Sequence, residues 1–355
     1  MTQNKGAASL KTVLVCGSDG VGSTAAMMAS VLAASGRRCG LLGLYRAEIN
    51  GVPLKPEEGA GAEAALRAFA AGKCAFAVVE CRGPGEAAAR LTEAPECLII
   101  TRTRDAELAG CLARIPEGGC VCAYMPESDA QFSALAAACR RRGAALRLSD
   151  PDELETLRDA PDGQTLCYCD DTPYDLALAG DVQARNAAAV LEAVEMLRER
   201  GVRIKDAAVA EGLAAARAPC CFEAMPCGTG FILDTPRTLS QAEAMRGNFD
   251  YYFAEARRAA LVSATEGPDT DAMLGLAVSG CRAAVCVTGP EKNAVPAPEL
   301  ARRAGLLGCP ALICDTPDEA VSAATAAAGE GGAVCCMVTP ETGRAIRAIF
   351  IREDT

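Results

Sequence analysis

Two periodicities alternate along the chain, and together they predict an α/β fold. Short apolar or β-branched runs predict buried strands, and the longer stretches between them have apolar residues at helical spacing. In the first part of the chain the predicted strands are Thr12–Gly17, Cys39–Leu44, Ala75–Glu80, Cys97–Thr101, Cys120–Ala123 and Ala145–Leu148. Helices between them are predicted at Gly22–Ser35, Ala60–Ala71 and Ala130–Arg142. This alternation favours a mostly parallel sheet with helices on both faces.

A pair of helices separates this series from a second one and indicates a domain boundary near Ala218 and Pro219. The two helices are predicted at Gln183–Arg200 and Asp206–Ala216. Further strands are then predicted at Gly230–Asp234, Ala259–Ser263, Ala283–Thr288, Ala311–Cys314 and Ala333–Val338. We therefore predict a P-loop-like, mostly parallel sheet domain in residues 1–218 and a smaller Rossmann-like α/β domain in residues 219–355. The acidic, turn-rich stretch Ser149–Thr172 is predicted to be a surface connection or an irregular hairpin.

The charge balance argues against several classes of partner. The 355-residue chain, which is too long for one ordinary core, has 35 Lys and Arg against 46 Asp and Glu, a net charge of −11. A chain this acidic repels phosphate backbones and anionic lipids, so nucleic acid and membrane are not expected partners. No apolar run is long enough to span a bilayer, and Met1–Lys11 lacks the apolar core of a signal peptide. We expect a cytoplasmic protein whose partner, a small molecule or another protein, is unknown.

The cysteine and histidine content limits the chemistry further. The chain has 20 Cys but none of its close pairs has the C-x-x-C spacing of a zinc site, and many lie in apolar strands, where a thiol acts as a small hydrophobe. The chain has no His. Catalysis by Ser-His-Asp or Cys-His groups and His-ligated metal sites are therefore excluded.

The sharpest motif lies between the first strand and the first helix. It reads G-S-D-G-V-G-S-T and consists of Gly17, Ser18, Asp19, Gly20, Val21, Gly22, Ser23 and Thr24. Glycines followed by a helix start are typical of phosphate-binding loops, because backbone N–H groups at a helix N-terminus attract anions. A working P-loop also needs a Lys for the phosphates and a Ser or Thr for Mg²⁺. Ser23 can hold the metal, but Val21 stands where the Lys is expected, so a simple tight turn is as good an interpretation of this motif alone.

Further motifs follow in order along nearly the whole chain. They are Ile49–Pro53, similar to I-N-G-x-x; Val78–Glu80, similar to V-x-E; Thr103–Asp105, similar to T-R-D-H; Gly180–Ala187, similar to G-x-H-Q-x-x-N-A; Pro219–Glu223, similar to P-G-R-F-E; and Leu233–Asp234, similar to the start of L-D-G-A-H-N-P. With the loop, similar to G-T-x-G-K-G-S-T, they resemble the Mur ligase superfamily. The shared I-N-G segment and the C-terminal tail resemble folylpolyglutamate and dihydrofolate synthases most closely.

The resemblance implies ATP and Mg²⁺ as cofactors of an acid–amino acid ligase. In that family ATP phosphorylates a carboxylate, and an incoming amino group displaces the phosphate. The resemblance places the nucleotide on residues 17–24, Asn186 and Asp234, and Mg²⁺ on Ser23 and Glu80. It also implies that the nucleotide cleft lies between the two domains, above the glycine loop.

Several family residues are replaced in this chain. The Lys of the loop is Val21, the His of T-R-D-H is Ala106, the His of H-Q is Val182, and the Arg of P-G-R is Cys221. The family's substrate loop is deleted between Gly43 and Glu48. Substitute cations for phosphate are Arg102, Arg104 and Arg237, although each is also compatible with a solvated surface charge. Glu80 and Ser23 also have purely structural interpretations, and Asp234 and Asn186 are compatible with helix capping.

Three functions fit these observations. The first is a ligase-derived pseudoenzyme that binds a ligand or partner without turnover. The second is an active ATP-dependent ligase with a rearranged site that uses Arg102, Arg104 or Arg237. The third is a regulatory or architectural subunit that binds no nucleotide.

Overall fold

The computed structural model of the protein describes residues 10–44, 46–55, 61–82, 89 and 95–351. Ala60 and most of the Met1–Lys11 segment lie outside these residues. The chain forms two compact units, one of Met1–Asp159 with Gly163–Arg217 and one of Ala160–Asp162 with Ala218–Thr355. None of the helices in the described ranges has the length and apolarity needed to cross a membrane.

The first unit is built on an eight-stranded sheet in the order β4-β3-β2-β5-β1-β6-β7-β8. Its strands are β1 Lys11–Cys16, β2 Cys39–Leu42, β3 Ala47–Ile49, β4 Val52–Pro53, β5 Phe76–Glu80, β6 Cys97–Ile100, β7 Cys120–Tyr124 and β8 Ala145–Ser149. In this order all neighbours from β2 to β8 pair in parallel, whereas β3 pairs antiparallel with both β2 and β4. The predicted mostly parallel sheet is confirmed.

Helices cover this sheet on both faces because its central strands are apolar on both sides. The helices are α1 Val21–Ala34, α2 Ala62–Ala71, α3 Asp105–Leu112, α4 Asp129–Arg142, α5 Asp181–Glu199 and α6 Asp206–Ala215. Leu14, Val79 and Leu98 point to one face, where they share a core with residues of α2, α3 and α4. On the other face, the Cys122 thiol donates to the Ala189 carbonyl of α5 at 3.1 Å.

Helix α6 packs directly on α1 at a position without a side chain. A methyl group at Gly212 would overlap the backbone of Val31, so glycine sets how closely the two helices approach. This contact holds the helix that starts at the glycine loop, and thereby positions the candidate site.

The stretch Ser149–Thr172, predicted as a surface connection or an irregular hairpin, is more regular than expected. After a short 3₁₀ helix at Pro151–Glu153 it forms β9 Leu154–Ala160 and β10 Gly163–Tyr168. With β11 Tyr174–Leu176 these strands make a separate three-stranded sheet in the order β11-β10-β9. The sequence pattern did not predict these strands, because most of β9 is exposed and an exposed strand does not need an apolar run.

The second unit is a six-stranded sheet in the order β12-β13-β17-β14-β15-β16. Its strands are β12 Glu223–Ala224, β13 Gly230–Asp234, β14 Arg258–Val262, β15 Ala284–Val287, β16 Ala311–Cys314 and β17 Ala333–Met337. Its helices are α7 Leu239–Tyr252, α8 Thr270–Val278, α9 Ala297–Leu306, α10 Pro317–Ala328 and α11 Pro340–Phe350. Only β12 is antiparallel. The predicted class of two successive α/β domains is therefore confirmed.

Candidate functional site

The glycine loop connects β1 to α1 at the carboxyl edge of the first sheet. Gly17 and Gly20 have φ angles of 143° and 77°, which side chains rarely adopt. A side chain would also overlap Thr101 at the first position and Asn186 at the second. Both glycines are therefore needed for backbone conformation and for close packing, as in loops that bring the backbone to a ligand.

Two amide groups of the loop already have partners within the protein. Ser18 N and Asp19 N both donate to the Arg102 carbonyl, at 2.7 and 3.4 Å. An anion at this loop would therefore meet the amides at the start of α1, from Gly20 to Gly22. These belong to the first helical turn, where backbone N–H groups lack helical acceptors.

Arg82, which the sequence did not single out, contacts the loop directly. It follows β5 by two residues, and its Nη2 donates to the Gly17 carbonyl at 2.9 Å and to the Ser18 carbonyl. The backbone turns there, because Arg82 N donates to the Glu80 carbonyl at 2.7 Å. A guanidinium group is thus held against the loop by an element outside it.

The two arginines that were predicted near the loop are placed less closely. The Arg102 side chain is 56% exposed, and its Nε donates to Glu127 at 2.8 Å. The Arg104 side chain is 51% exposed, with Nη2 3.9 Å from Asp19 Oδ2. Its backbone N–H donates to the Ser18 hydroxyl at 2.8 Å. The backbones of both arginines shape the loop, whereas their charges face partners at the surface.

The Glu80 carboxylate lies beside the first turn of α1. It is buried, accepts a hydrogen bond from Leu44 N at 3.0 Å, and has both oxygens 3.6–3.8 Å from the position of a Cβ on Gly22. The next residue is Ser23, whose side chain is also buried. One carboxylate and one hydroxyl fit Mg²⁺, which usually keeps waters and takes further oxygens from phosphate. In the described part of the chain, no three His, Cys, Asp or Glu side chains form a cluster suited to a metal.

Asn186 forms a buried hydrogen-bonded contact beneath Gly20. Its Oδ1 accepts from the Tyr124 hydroxyl at 2.5 Å, and its Nδ2 donates to Gln183 at 2.9 Å. Burial raises the pKa of Tyr124, so this hydroxyl keeps its proton as a donor. The capping interpretation of Asn186 was wrong, because α5 begins at Asp181, a full turn earlier.

In the second unit, Asp234 is the last residue of β13 and is only partly exposed. Its Oδ2 accepts from Phe222 N at 3.1 Å and its Oδ1 from Thr235 N at 2.6 Å. Burial raises the pKa of this carboxyl to about 7, against the lowering effect of the two N–H donors. The capping interpretation of Asp234 was also wrong, because Thr238 caps the next helix through a bond from Gln241 N.

The segment before β12 is tied into the same turn. Cys220 and Phe222 have positive φ angles of 56° and 44° although neither is glycine. Cys220 N donates to Glu223 at 2.8 Å, and Glu223 pairs with Arg347 Nε at 3.0 and 3.1 Å. The third predicted arginine, Arg237, is exposed near this turn, and its backbone N–H donates to Gln241.

A row of polar residues that sequence reasoning missed follows β14 and β17 in the second unit. Thr339 N donates to the Ser263 hydroxyl at 2.9 Å, and the Thr339 and Thr342 hydroxyls are 2.9 Å apart. Among the described residues, the buried Oε2 of Glu291 has no hydrogen-bond partner, while its Oε1 accepts from Glu341 N at 3.3 Å. The sequence signal that could have identified these residues is the polar residue that follows each strand. Ligands of open α/β sheets bind at the carboxyl edge, where such residues collect.

No protein-family profile and no curated protein matches the sequence. Solved structures do match over nearly the whole chain. The folylpolyglutamate synthase of Mycobacterium tuberculosis, complexed with ADP and AMPPCP, has a TM-score of 0.79 at 21% identity, covering 98% of this chain and 92% of that one. The enzyme of Thermotoga maritima has a TM-score of 0.77 at 18% identity, covering 96% and 89%.

A third similar structure contains a metal. The bifunctional folylpolyglutamate synthase/dihydrofolate synthase of Yersinia pestis, complexed with AMPPNP and Mn ion, has a TM-score of 0.73 at 17% identity, covering 96% of this chain and 89% of that one. At these identities the likeness establishes the fold, and it confirms at that level the resemblance indicated by the motifs. The chain has the fold of the folylpolyglutamate synthases.

Proposed function

We propose that this protein is a ligase-derived receptor for a polyphosphate nucleotide, with acid–amino acid ligation greatly weakened or lost. The observation that carries the proposal is the pairing of an intact glycine loop with the buried Glu80 carboxylate at the first turn of α1. The fold neighbours support it, since the enzymes of M. tuberculosis and Y. pestis are complexed with ADP, AMPPCP or AMPPNP.

In this proposal the phosphates bind the amides from Gly20 to Gly22. Mg²⁺ binds the Ser23 hydroxyl and the Glu80 carboxylate and supplies neutralisation of phosphate charge when it is bound. Asn186 supports the loop from below through its contact with Gly20. We assign nucleotide binding to a domain of residues 1–218. Residues 219–355 form a second, ligase-type domain, in which Asp234 is the candidate nucleotide contact.

The reason for weak turnover is the loss of groups that neutralise the transferred phosphoryl group. Val21 begins α1 where the ligases have Lys, is buried, and carries no charge. Ala106 stands in place of a His. Removing one donor that stabilises a developing charge typically lowers the rate by about 10²–10³-fold, and losses within one site do not simply add.

A second candidate, an active ligase with a rearranged site, is favoured by one observation. Arg82 places a positive charge on the loop from outside the motif. If that charge served the reacting phosphoryl group, transfer from ATP to a carboxylate would still be feasible, with an acyl phosphate then attacked by an amine and phosphate leaving.

Calorimetric titration with ATP, with and without Mg²⁺, tests the proposal. We expect binding with a dissociation constant on the order of micromolar that Mg²⁺ strengthens, and its loss in Glu80→Ala, because the carboxylate is a proposed metal ligand. The matched control is Glu96→Ala: Glu96 lies just before β6 at the opposite edge of the sheet and pairs with Lys11 at 2.9 Å.

The outcomes separate the three functions. ATP binding that survives in Glu96→Ala but not in Glu80→Ala supports the receptor. Release of ADP on addition of a carboxylate and an amino acid would establish the active ligase instead. Absence of heat at millimolar ATP would rule out both and leave a regulatory or architectural subunit.

A further inference from the structure

The glycine loop lacks the positive charge that a polyphosphate requires. Val21 is 1% exposed and contributes only apolar surface at the start of α1. The loop also contains Asp19, and Glu107 accepts a hydrogen bond from the Ser18 hydroxyl, so two carboxylates lie near it. Without a cation, helix-start amides alone would have to offset both the phosphate charge and these neighbours.

Arg82 is the described cation that touches the loop backbone. Its Nη2 donates to two consecutive carbonyls, Gly17 O and Ser18 O. The side chain is partly buried, whereas those of Arg102 and Arg104 are each more than half exposed. A charge in a less solvated position acts more strongly on a nearby anion, because water screens it less.

The chemistry of the guanidinium group suits an exchange of partners. It presents several N–H donors in one plane, and a phosphate oxygen is a stronger acceptor than a neutral carbonyl because it is charged. The carbonyls of Gly17 and Ser18 therefore hold the group beside the loop without competing strongly with a phosphate.

We propose that Arg82 supplies, from the end of β5, the phosphate-neutralising charge that position 21 lacks. This inference rests on the proposed nucleotide binding and adds a residue to it that lies outside the glycine motif. The ligand class follows: a compound with two or more linked phosphates, because the loop amides and a guanidinium group on its flank provide adjacent anion contacts.

The test measures binding of ATP and inorganic tripolyphosphate by calorimetry to the full chain and three variants. Arg82→Gln removes the charge and keeps a donor, and Arg82→Lys keeps the charge without the planar group. Arg147→Gln is the control: it removes a partly exposed arginine, paired with Glu192 at 3.2 Å, from β8 of the same unit. Far-UV circular dichroism and thermal unfolding check that each variant is folded.

We expect Arg82→Gln to weaken binding of both compounds about 10- to 100-fold, the range for losing a hydrogen bond to a charged group. Arg147→Gln should stay within about threefold of the wild type, and Arg82→Lys should fall between the wild type and Arg82→Gln, because lysine keeps the charge at the loop but not the planar set of donors. Adding Val21→Lys to Arg82→Gln should restore affinity, since it returns a cation to the loop.

Two results would overturn the inference while leaving nucleotide binding intact. One is unchanged tripolyphosphate affinity in Arg82→Gln. The other is equal weakening in Arg82→Gln and Arg82→Lys without recovery by Val21→Lys, which would make Arg82 a support of the loop backbone. If the wild type itself binds neither compound, the proposed function fails and the inference fails with it.

Discussion

The glycine loop of the first unit and the Asp234 turn of the second both follow parallel strands at the carboxyl edge of a sheet. They differ in whether backbone or side-chain groups define them. The loop has a constrained backbone, with glycines at φ 143° and 77°, and carries the uncharged Val21 at the start of α1. The turn carries a carboxylate, Asp234, which accepts hydrogen bonds from two backbone N–H groups. The first region is thus defined by its backbone conformation, and the second by an acidic side chain.

The residues of the loop and of the turn also have structural roles within their own units. Gly17 and Gly20 pack against Thr101 and Asn186, so a side chain there would disrupt the first unit even without a ligand. Asp234 accepts two backbone N–H groups, which would be left unsatisfied in its absence. In both regions these residues hold the local fold together, with or without a bound ligand.

The largest expected effect concerns the ionisation of Asp234. Burial raises its pKa from 3.8 to about 7 in the folded protein, so between these values the folded state binds more protons than the unfolded state. Stability from this group is complete below pH 4 and is lost as the pH rises to 7 and above, by up to about 4 kcal/mol for a shift near three units. Denaturant unfolding of the wild type and Asp234→Asn from pH 4 to pH 8 measures it.

The asparagine variant should lack this part of the pH dependence. Its unfolding free energy relative to wild type should therefore improve as the pH rises, even though it loses one N–H contact at every pH. Parallel curves for the two proteins would mean that Asp234 is ionised in the fold.

The second prediction tests whether the loop backbone is as constrained as its packing indicates. Gly20→Ala should lower the unfolding free energy by about 2–3 kcal/mol, because a residue at φ 77° is strained and its methyl group overlaps Asn186. Asn186 cannot easily move, since Tyr124 and Gln183 hold it. Chemical denaturation measures the loss, and ATP titration should show weaker binding.

The matched control for the loop is Gly36→Ala at the end of α1. Gly36 has a similar φ of 81°, but nothing lies within 4 Å of its Cβ position. It should therefore show only the conformational part of the effect, about 1 kcal/mol. Equal losses in the two variants would show that contact with Asn186 does not constrain the loop.

The sequence predicted the fold and the loop because both depend on local signals. The strand–helix alternation located most strands of the two large sheets, and the glycine spacing located the start of α1 within one residue. Glu80 was identified through the V-x-E strand end and does lie beside Gly22. The strand–helix alternation and the glycine spacing follow from neighbours in sequence, so a single chain is enough to predict them, whereas Glu80 was predicted through the family resemblance.

Features that depend on distant contacts were missed or misinterpreted. Arg82 looks like an ordinary surface arginine in sequence, and its significance comes from carbonyls 64 and 65 residues earlier. The capping alternative for Asn186 fits a helix that starts at Gln183, whereas α5 starts at Asp181. Neither the contact with Gly20 nor the burial of Asp234 has a local signature.

The smallest expected effect is a difference in unfolding free energy between the loss of an ion pair beside the Asp234 turn and the loss of one away from it. Arg347 pairs with Glu223 where the two side chains are 16% and 18% exposed, whereas Arg344, on the same helix, pairs with Glu341 where both are about half exposed. Because solvent screens the second pair, Arg347→Ala should lower the unfolding free energy by about 1–2 kcal/mol and Arg344→Ala by less than about 0.5 kcal/mol. Thermal and denaturant unfolding of both variants, of Glu223→Gln and of the double variant Arg347→Ala/Glu223→Gln isolates the free energy of the Arg347–Glu223 pair. If the two single variants lose the same stability, the ion pair adds nothing to the turn, and the backbone bonds to Glu223 and Asp234 hold the strained Cys220 and Phe222 without it.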